Sequence, residues 1–313
     1  NTDWNTVDNW RIKKIPTATD IAVILDVPNQ PVIDASTTAE INGLVINNNT
    51  ELSVEGILKV SDRITNDGDI VFRSSLLSGS GQFDEFTGTL TGTGEVTIER
   101  YIPARRAYRL LSSPVTTTDF IFENWQESGS TPASPNGLGT QITGGAVADG
   151  FDQNGSGNPS MFTFDNATQN WQPLSNTNNT RLNAEVPYLT MVRGDRTIDL
   201  TNNSDPPTET TLRSTGQLFT GPSSPTLSTG LGDFTLIANP YQAVVDYTLA
   251  TRTDLTDHIY VWDATIGGIN GRGGYVTVDV SSGAVPPPSG VNATKFIAPS
   301  RQLPVSRKPV YPL

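Results

Sequence analysis

His258 is where acid–base or nucleophilic chemistry would have to start, because a Ser/His/Asp relay needs an imidazole to carry the proton and this is the only histidine. It follows Asp257 at the start of a strand bearing Tyr260 and Trp262, and no Gly-x-Ser-x-Gly elbow precedes it, so an ordinary strand-edge residue is the expected role. One histidine and no cysteine exclude a histidine-based or thiolate zinc site, a cysteine nucleophile and a disulfide framework. Carboxylates remain. Asp84/Glu85, Asp195/Asp199 and Asp263/Asp279 are the pairs from which glycosidase-like chemistry would be built, given two carboxyl groups ~5–10 Å apart in a groove. Solvated loop acids are the plainer account of all three.

Calcium suits one loop better, since it takes several hard oxygen ligands and tolerates backbone carbonyls. Asp149, Asp152, Asn154, Ser156 and Asn158 are the candidate ligands, spaced by glycines that bend the chain, although the closing bidentate glutamate of an EF-hand loop is missing. An Asx-turn loop is the alternative. Four of the chain's basic residues, Arg100, Arg105, Arg106 and Arg109, fall in one short span. Pairing with carboxylates across a module interface is their expected use, and an anionic ligand the alternative. Arg193-Gly194-Asp195 reads as a hairpin turn with local ion pairing of Asp195 to Arg193 and Arg196 rather than as an integrin motif. Among the tryptophans, Trp125 and Trp171 lie in or beside loops and are the candidates for stacking on a sugar ring, whereas Trp4 and Trp10 are expected to cap the core.

The elements that must position these residues are strands. Thr, Asn, Ser, Gly and Pro are abundant in the 313 residues and charged residues make up 17%, which favours strands and turns over helices. An apolar run, Ile21 to Leu25, reads as a buried strand. From Glu40 to Phe72 apolar pairs two residues apart recur between Asn-, Gly- and Asp-rich breaks: Leu44/Ile46, Leu52/Val54, Leu58/Val60 and Ile70/Phe72. Each pair faces one side of a short strand and each break turns a corner, the pattern of a β-solenoid. Stacked asparagines are expected at Asn47-Asn48-Asn49 and Asn66-Asp67-Gly68, and Gly79 to Gly94 would form the last, narrowest coil.

The stretch from Glu95 to Val115 is the seam: a strand stopped by Pro103, then a second starting at Tyr108. Beyond it, strands are expected at Arg109–Leu111, Ser160–Asp165, Tyr188–Val192, Thr197–Thr201, Phe234–Ala238, Ile259–Asp263 and Gly274–Val280. A long loop from Glu123 to Gln153 is read as a surface function or a mobile flap. The fold class is therefore all-β, a short N-terminal β-solenoid over residues 1–100 followed by a β-sandwich or jelly roll over residues 101–313.

The ordered motifs WNTVDNW, PVIDASTTAEINGLVINNNTELSVEGILKV, ERYIPARRAYRLLSSPV, GFDQNGSGNPSMFTFDNATQNW, YLTMVRGDRTIDLT, LIANPYQAVVDY, IYVWDA and GGYVTVDVSSG resemble the repeat-rich secreted and cell-surface proteins of Bacteroidota. That resemblance implies export by the type IX secretion route and a role at the cell surface, in some members adhesive. It also implies a sorting domain after Phe296. The sequence instead reads Ala298-Pro299-Ser300-Arg301 and closes on PVSRKPVYPL, so removal of that domain or a different ending is expected.

The net charge of −12 argues against nucleic acid and anionic membranes as partners. No apolar run approaches the ~20 residues of a membrane helix, and with Asn1 opening the chain a signal peptide is expected to have been removed or never included. The functional expectation is a non-enzymatic extracellular protein on the outer cell surface, structural or adhesive, self-assembling into a filament or array through terminal strands. The alternative is a carbohydrate-binding module. Partners would be further copies, surface glycans or a neighbouring or host cell surface, with calcium as the one candidate cofactor.

Overall fold

The computed structural model describes residues 2–130, 138–253, 255–268, 271–279 and 281. Nearly all its regular structure is strand. In the N-terminal part β1 (Ile21–Ile24), β2 (Val32–Ile33), β3 (Thr38–Ile46), β4 (Glu51–Val54), β5 (Ile57–Asn66) and β6 (Asp69–Phe72) follow one another around a coil. A small hairpin, β7 (Ser74–Ser75) and β8 (Gly79–Ser80), then interrupts it before β9 (Gln82–Phe83), β10 (Thr89–Thr91) and β11 (Glu95–Ile102). Each strand pairs in parallel with the strand one coil away: β1 with β3, β3 with β5, and β5 with β9 and β10. On the other wall β2 pairs with β4, β4 with β6 and β6 with β11. The register runs from Ile21 to Gly43 to Arg63 to Thr89, so a coil takes 20 to 26 residues, the size of a solenoid repeat. The result is a β-solenoid-like arrangement of about three turns.

Alternation dictates what fills it. Leu44, Ile46, Leu52, Val54, Leu58, Val60, Ile70 and Phe72 are all buried in one core with Ala22, Ile24, Ile33, Val96 and Ile98. Full burial of such a side chain is worth about 1.5–3 kcal/mol, which is why period-two spacing decides the register. The corners lie where the breaks were read, but no asparagine ladder stacks there: Asn66 aligns with Ile46, and Ile46 with Ile24. Glycine makes the corners possible. A Cβ on Gly94 would collide with the Gly68 carbonyl, and one on Gly68 with the Asn47 carbonyl, because successive coils touch backbone to backbone there. At the open end Trp4 is buried and packs edge-on against Trp10 with ring centroids 4.8 Å apart, while the Trp10 indole donates to the Trp4 carbonyl at 2.8 Å. Both tryptophans therefore cap the core, as expected.

The seam is β11, which stops before Pro103. On one side it continues the parallel wall through β6; on the other it pairs antiparallel with β17 (Thr210–Leu218) from Val96 to Ile102. The second part also contains β12 (Ala107–Leu111), β13 (Val115–Thr117), β14 (Met161–Asp165), β15 (Asn170–Pro173), β16 (Tyr188–Val192), β18 (His258–Asp263) and β19 (Gly274–Asp279). β13 extends the β11–β17 sheet, β12, β16, β14 and β15 form a separate antiparallel sheet, and β18 and β19 form a hairpin. A second core joins Ile102 and Leu212 of the first sheet to Leu111, Met161, Tyr188 and Val192 of the other. Two antiparallel layers on one core are compatible with a sandwich.

Several local expectations are corrected. Thr197–Thr201 is a run of turns, because Asp195 and Asp199 turn their carboxylates onto the backbone N–H groups of Thr197 and Thr201. Phe234–Ala238 forms no strand, and the Phe234 N–H bonds to the Gln169 side chain. β17, an interior strand of its sheet between β13 and β11, went unread: its inward residues include Thr210, Ser214 and Gly216, so it carries little apolar alternation. The loop from Glu123 to Gln153 is no flap over its described residues. Trp125, Gln126, Thr140, Ile142 and Phe151 are buried in or beside the second core, and residues 131–137 lie outside the described part.

Candidate functional site: an arginine-lined cleft

The arginines that follow β11 do not pair with carboxylates, which overturns the expected interface ion pairs. Arg105 donates to the carbonyls of Ala264, Thr265 and Gly268, and Arg109 to those of Pro103, Arg105 and Ala107. Burial, then the neighbouring Arg105 charge, pushes the Arg109 guanidinium down to about 10. Arg106 is held by the carbonyl and side-chain oxygen of Asn203 at 2.8 and 3.0 Å, and its Nε is buried without an acceptor. Arg105 and Arg106 tie the seam to distant loops through neutral oxygens, and Arg109 braces the seam itself.

Arg106 borders a cleft of about 470 Å³. β12 contributes Tyr108, β16 contributes Met191, and the turn after β16 contributes Arg193. The rim opposite is the polar loop carrying Asn154, Ser156 and Asn158. No hydrogen bond or ion pair holds the Arg193 side chain among the described residues. Arg193 is depressed by burial and by the Arg272 charge, and Arg106 by burial and by both Arg193 and Arg272. A depressed arginine still carries its charge at neutral pH, so the cleft is electropositive in a protein of net charge −12.

That electrostatics bears directly on calcium. The Asp152 carboxylate points away from the cleft, gripping Arg196 at 2.6 and 3.1 Å and accepting the Ile142 N–H and the Gln126 amide. Asp149 accepts the Asn176 side chain. Asn154 accepts the Gly157 N–H and the Ser156 hydroxyl, and the Asn158 carbonyl accepts the Thr143 hydroxyl. The side chains of Asp149, Asp152, Asn154 and Ser156 are thus spent on the fold, and Asn154, Ser156 and Asn158 share a cleft with two guanidinium groups. A cation is repelled there. The structure makes this an Asx-turn loop, and among the described residues no group of three or more acids or histidines is placed to hold a metal.

The remaining candidates separate. Trp125 is only 4% exposed and packs edge-on against Tyr188 at 5.7 Å, so no sugar can reach its face. Trp171 is half-buried on β15, edge-on to Phe164 at 5.2 Å. Sequence reading did not single out Phe234 and Tyr260 as a pair; both are exposed and 5.5 Å apart, and nothing local in the sequence links the two. His258 is exposed and pairs with Asp279, whereas Asp263 pairs with Gly274 at the other end of the same hairpin. At ~3.4 Å per residue Asp263 and Asp279 stand too far apart for paired-carboxylate chemistry. Asp84 lies 3.9 Å from Lys59. Asp195 accepts the hydroxyls of Thr197 and Thr208, so the Arg193-Gly194-Asp195 segment contains no internal ion pair; Arg196 pairs with Asp152 instead.

Fold and site together define an all-β protein with a short β-solenoid and a polar, positively charged cleft on its antiparallel part. A family model described as a domain of unknown function (DUF8693) matches residues 1–137, which takes in the solenoid and the first strands beyond the seam. Neither curated proteins nor solved structures give a match. Among the described residues no helix is long and apolar enough to cross a membrane, a statement that leaves β-barrels untouched.

Proposed function

We propose that this chain is a non-enzymatic extracellular protein of the outer cell surface, structural or adhesive, that self-assembles through the open edge of its first coil. The observation that carries the reading is β1. It pairs only with β3, so its outer backbone edge has no strand partner among the described residues, and Ile21 and Val23 are 44% and 46% exposed along it. Leu25 and Val27 continue the exposed apolar line. An unpaired apolar edge is a template for another strand, and Lys14 and Asp20 beside it are the kind of charges that restrain such pairing. Export by the type IX route, as in the Bacteroidota surface proteins the sequence resembles, belongs to the same proposal. The C-terminal segment, the other terminus invoked for assembly, lies outside the described residues.

Sedimentation and negative-stain imaging over a concentration series test it. Concentration-dependent fibres or oligomers are expected, abolished by Val23→Lys; monodisperse monomers at high concentration would sink the proposal. A second reading, binding of surface glycans, is favoured by the aromatic pairs Phe164/Trp171 and Phe234/Tyr260, carried on segments that two hydrogen bonds between Gln169 and the Phe234 backbone tie together. Its check is a glycan array with Trp171→Ala, which should lose any signal that the native protein gives.

A further inference from the structure

We infer that the cleft between Arg106 and Arg193 is a binding site for a carboxylate-bearing sugar of the uronate class, with the guanidinium groups on the carboxylate and the opposite loop on the ring hydroxyls. Charge is the first ground. Two arginines face one cleft, neither in an ion pair among the described residues, although the chain carries 32 acidic residues that could have neutralised them. Like charges held together cost stability unless an anion offsets them.

Orientation is the second ground. Both terminal nitrogens of Arg106 are fixed on Asn203, which orients the guanidinium, and each keeps a second N–H. Arg193 has its whole fork uncommitted, and a guanidinium fork matches the two oxygens of a carboxylate.

The remaining walls select the rest of the ligand. The Asn158 side-chain amide makes no hydrogen bond among the described residues and can both donate and accept, as sugar hydroxyls require, with Asn154 and Ser156 beside it. Tyr108 and Met191 supply an apolar wall for the C–H face of a ring. A volume of about 470 Å³ accommodates a saccharide unit rather than a bare ion. This site is separate from the β1 edge and from the exposed aromatic pairs, so it stands whether or not the chain assembles.

The test is titration calorimetry of the full chain with trigalacturonate, its methyl ester and dextran sulfate, using native protein and Arg193→Gln. Arg193 makes no hydrogen bond that the fold needs, so the variant is expected to melt with the native protein. Trigalacturonate should bind, and its affinity should fall roughly tenfold or more in Arg193→Gln and for the methyl ester, the loss of one charge-assisted hydrogen-bonded pair. Three results overturn the inference: no trigalacturonate binding by native protein, equal binding by Arg193→Gln, or dextran sulfate bound as tightly as the uronate. The last would mean attraction of any polyanion.

Discussion

Replacing Glu99 by Gln should loosen the joint between solenoid and second part more than any other single charge removal. Glu99 sits on β11, is only 7% exposed, and lies between two guanidinium groups: Arg73 Nη1 at 3.2 Å and Arg213 Nε at 3.0 Å both reach its Oε1. Its other oxygen accepts the Ser74 N–H. The chain of charges extends outward, Arg73 to Glu51 at 2.7 Å and Arg213 to Glu127 at 3.0 Å. Breaking a buried pair from one side costs about 3–5 kcal/mol, because the surviving charge stays desolvated. Here both arginines keep a second carboxylate and Gln keeps an acceptor oxygen, so the lower end, about 3 kcal/mol, is expected. At about 2–4 °C per kcal/mol for a chain of this size, the melting temperature should fall by roughly 6–12 °C. Calorimetry on Glu99→Gln, Arg213→Gln and the double variant checks this. The double should cost less than the two singles added, by about 1 kcal/mol or more, since the second change removes a charge the first has stranded. A drop of under about 2 °C, or strict additivity, would refute the assignment of the joint to this network.

Trp125→Ala should lower stability by about 3–5 kcal/mol while leaving any glycan-array signal unchanged, since that ring fills the second core. Gly68→Ala should lower the melting temperature and weaken hydrogen-exchange protection of β3 to β6, because the new Cβ has to displace the Asn47 carbonyl. Two acids should respond to pH in opposite senses. Hydrogen bonds from Lys14 and Thr17 lower Asp20 to about 2, so its stabilisation is present above the ordinary carboxylate range and is lost as pH falls through about 2; Asp20→Asn should destabilise at pH 7 and not near pH 2. Burial raises Asp69, which also sits in register between Glu51 and Glu95, so the folded state binds its proton more tightly and stability is lost as pH rises through the raised value. Asp69→Asn should therefore raise the melting temperature at pH 7 and not at pH 3.

The solenoid was legible because its information is local. Leu52 and Val54, or Ile70 and Phe72, share a face whatever happens elsewhere, and a glycine or asparagine between such pairs has little to do but turn the chain. The site was legible only as a set of loose residues. Asn154, Ser156 and Asn158 were found by their oxygens, but their spacing alone suggested a cation, because nothing near them in sequence reveals Arg106 and Arg193 across the cleft. β17 escaped for the complementary reason: Ser214 is buried because it meets Ser113 across the core at 3.1 Å, and hydroxyls satisfied by a distant partner leave no hydrophobic period to read.

By itself, then, the sequence determined an all-β chain, the coil walls and corners, the stop at Pro103 and the capping tryptophans, all consequences of side-chain alternation and backbone freedom within a few residues. Only the tertiary structure decided the rest. It assigned the seam arginines to carbonyls rather than carboxylates, buried Trp125, and gave Asp152 to Arg196. Each of these is a choice among partners far apart in the chain, and such choices are made by packing and desolvation, which act only once the distant segments have met.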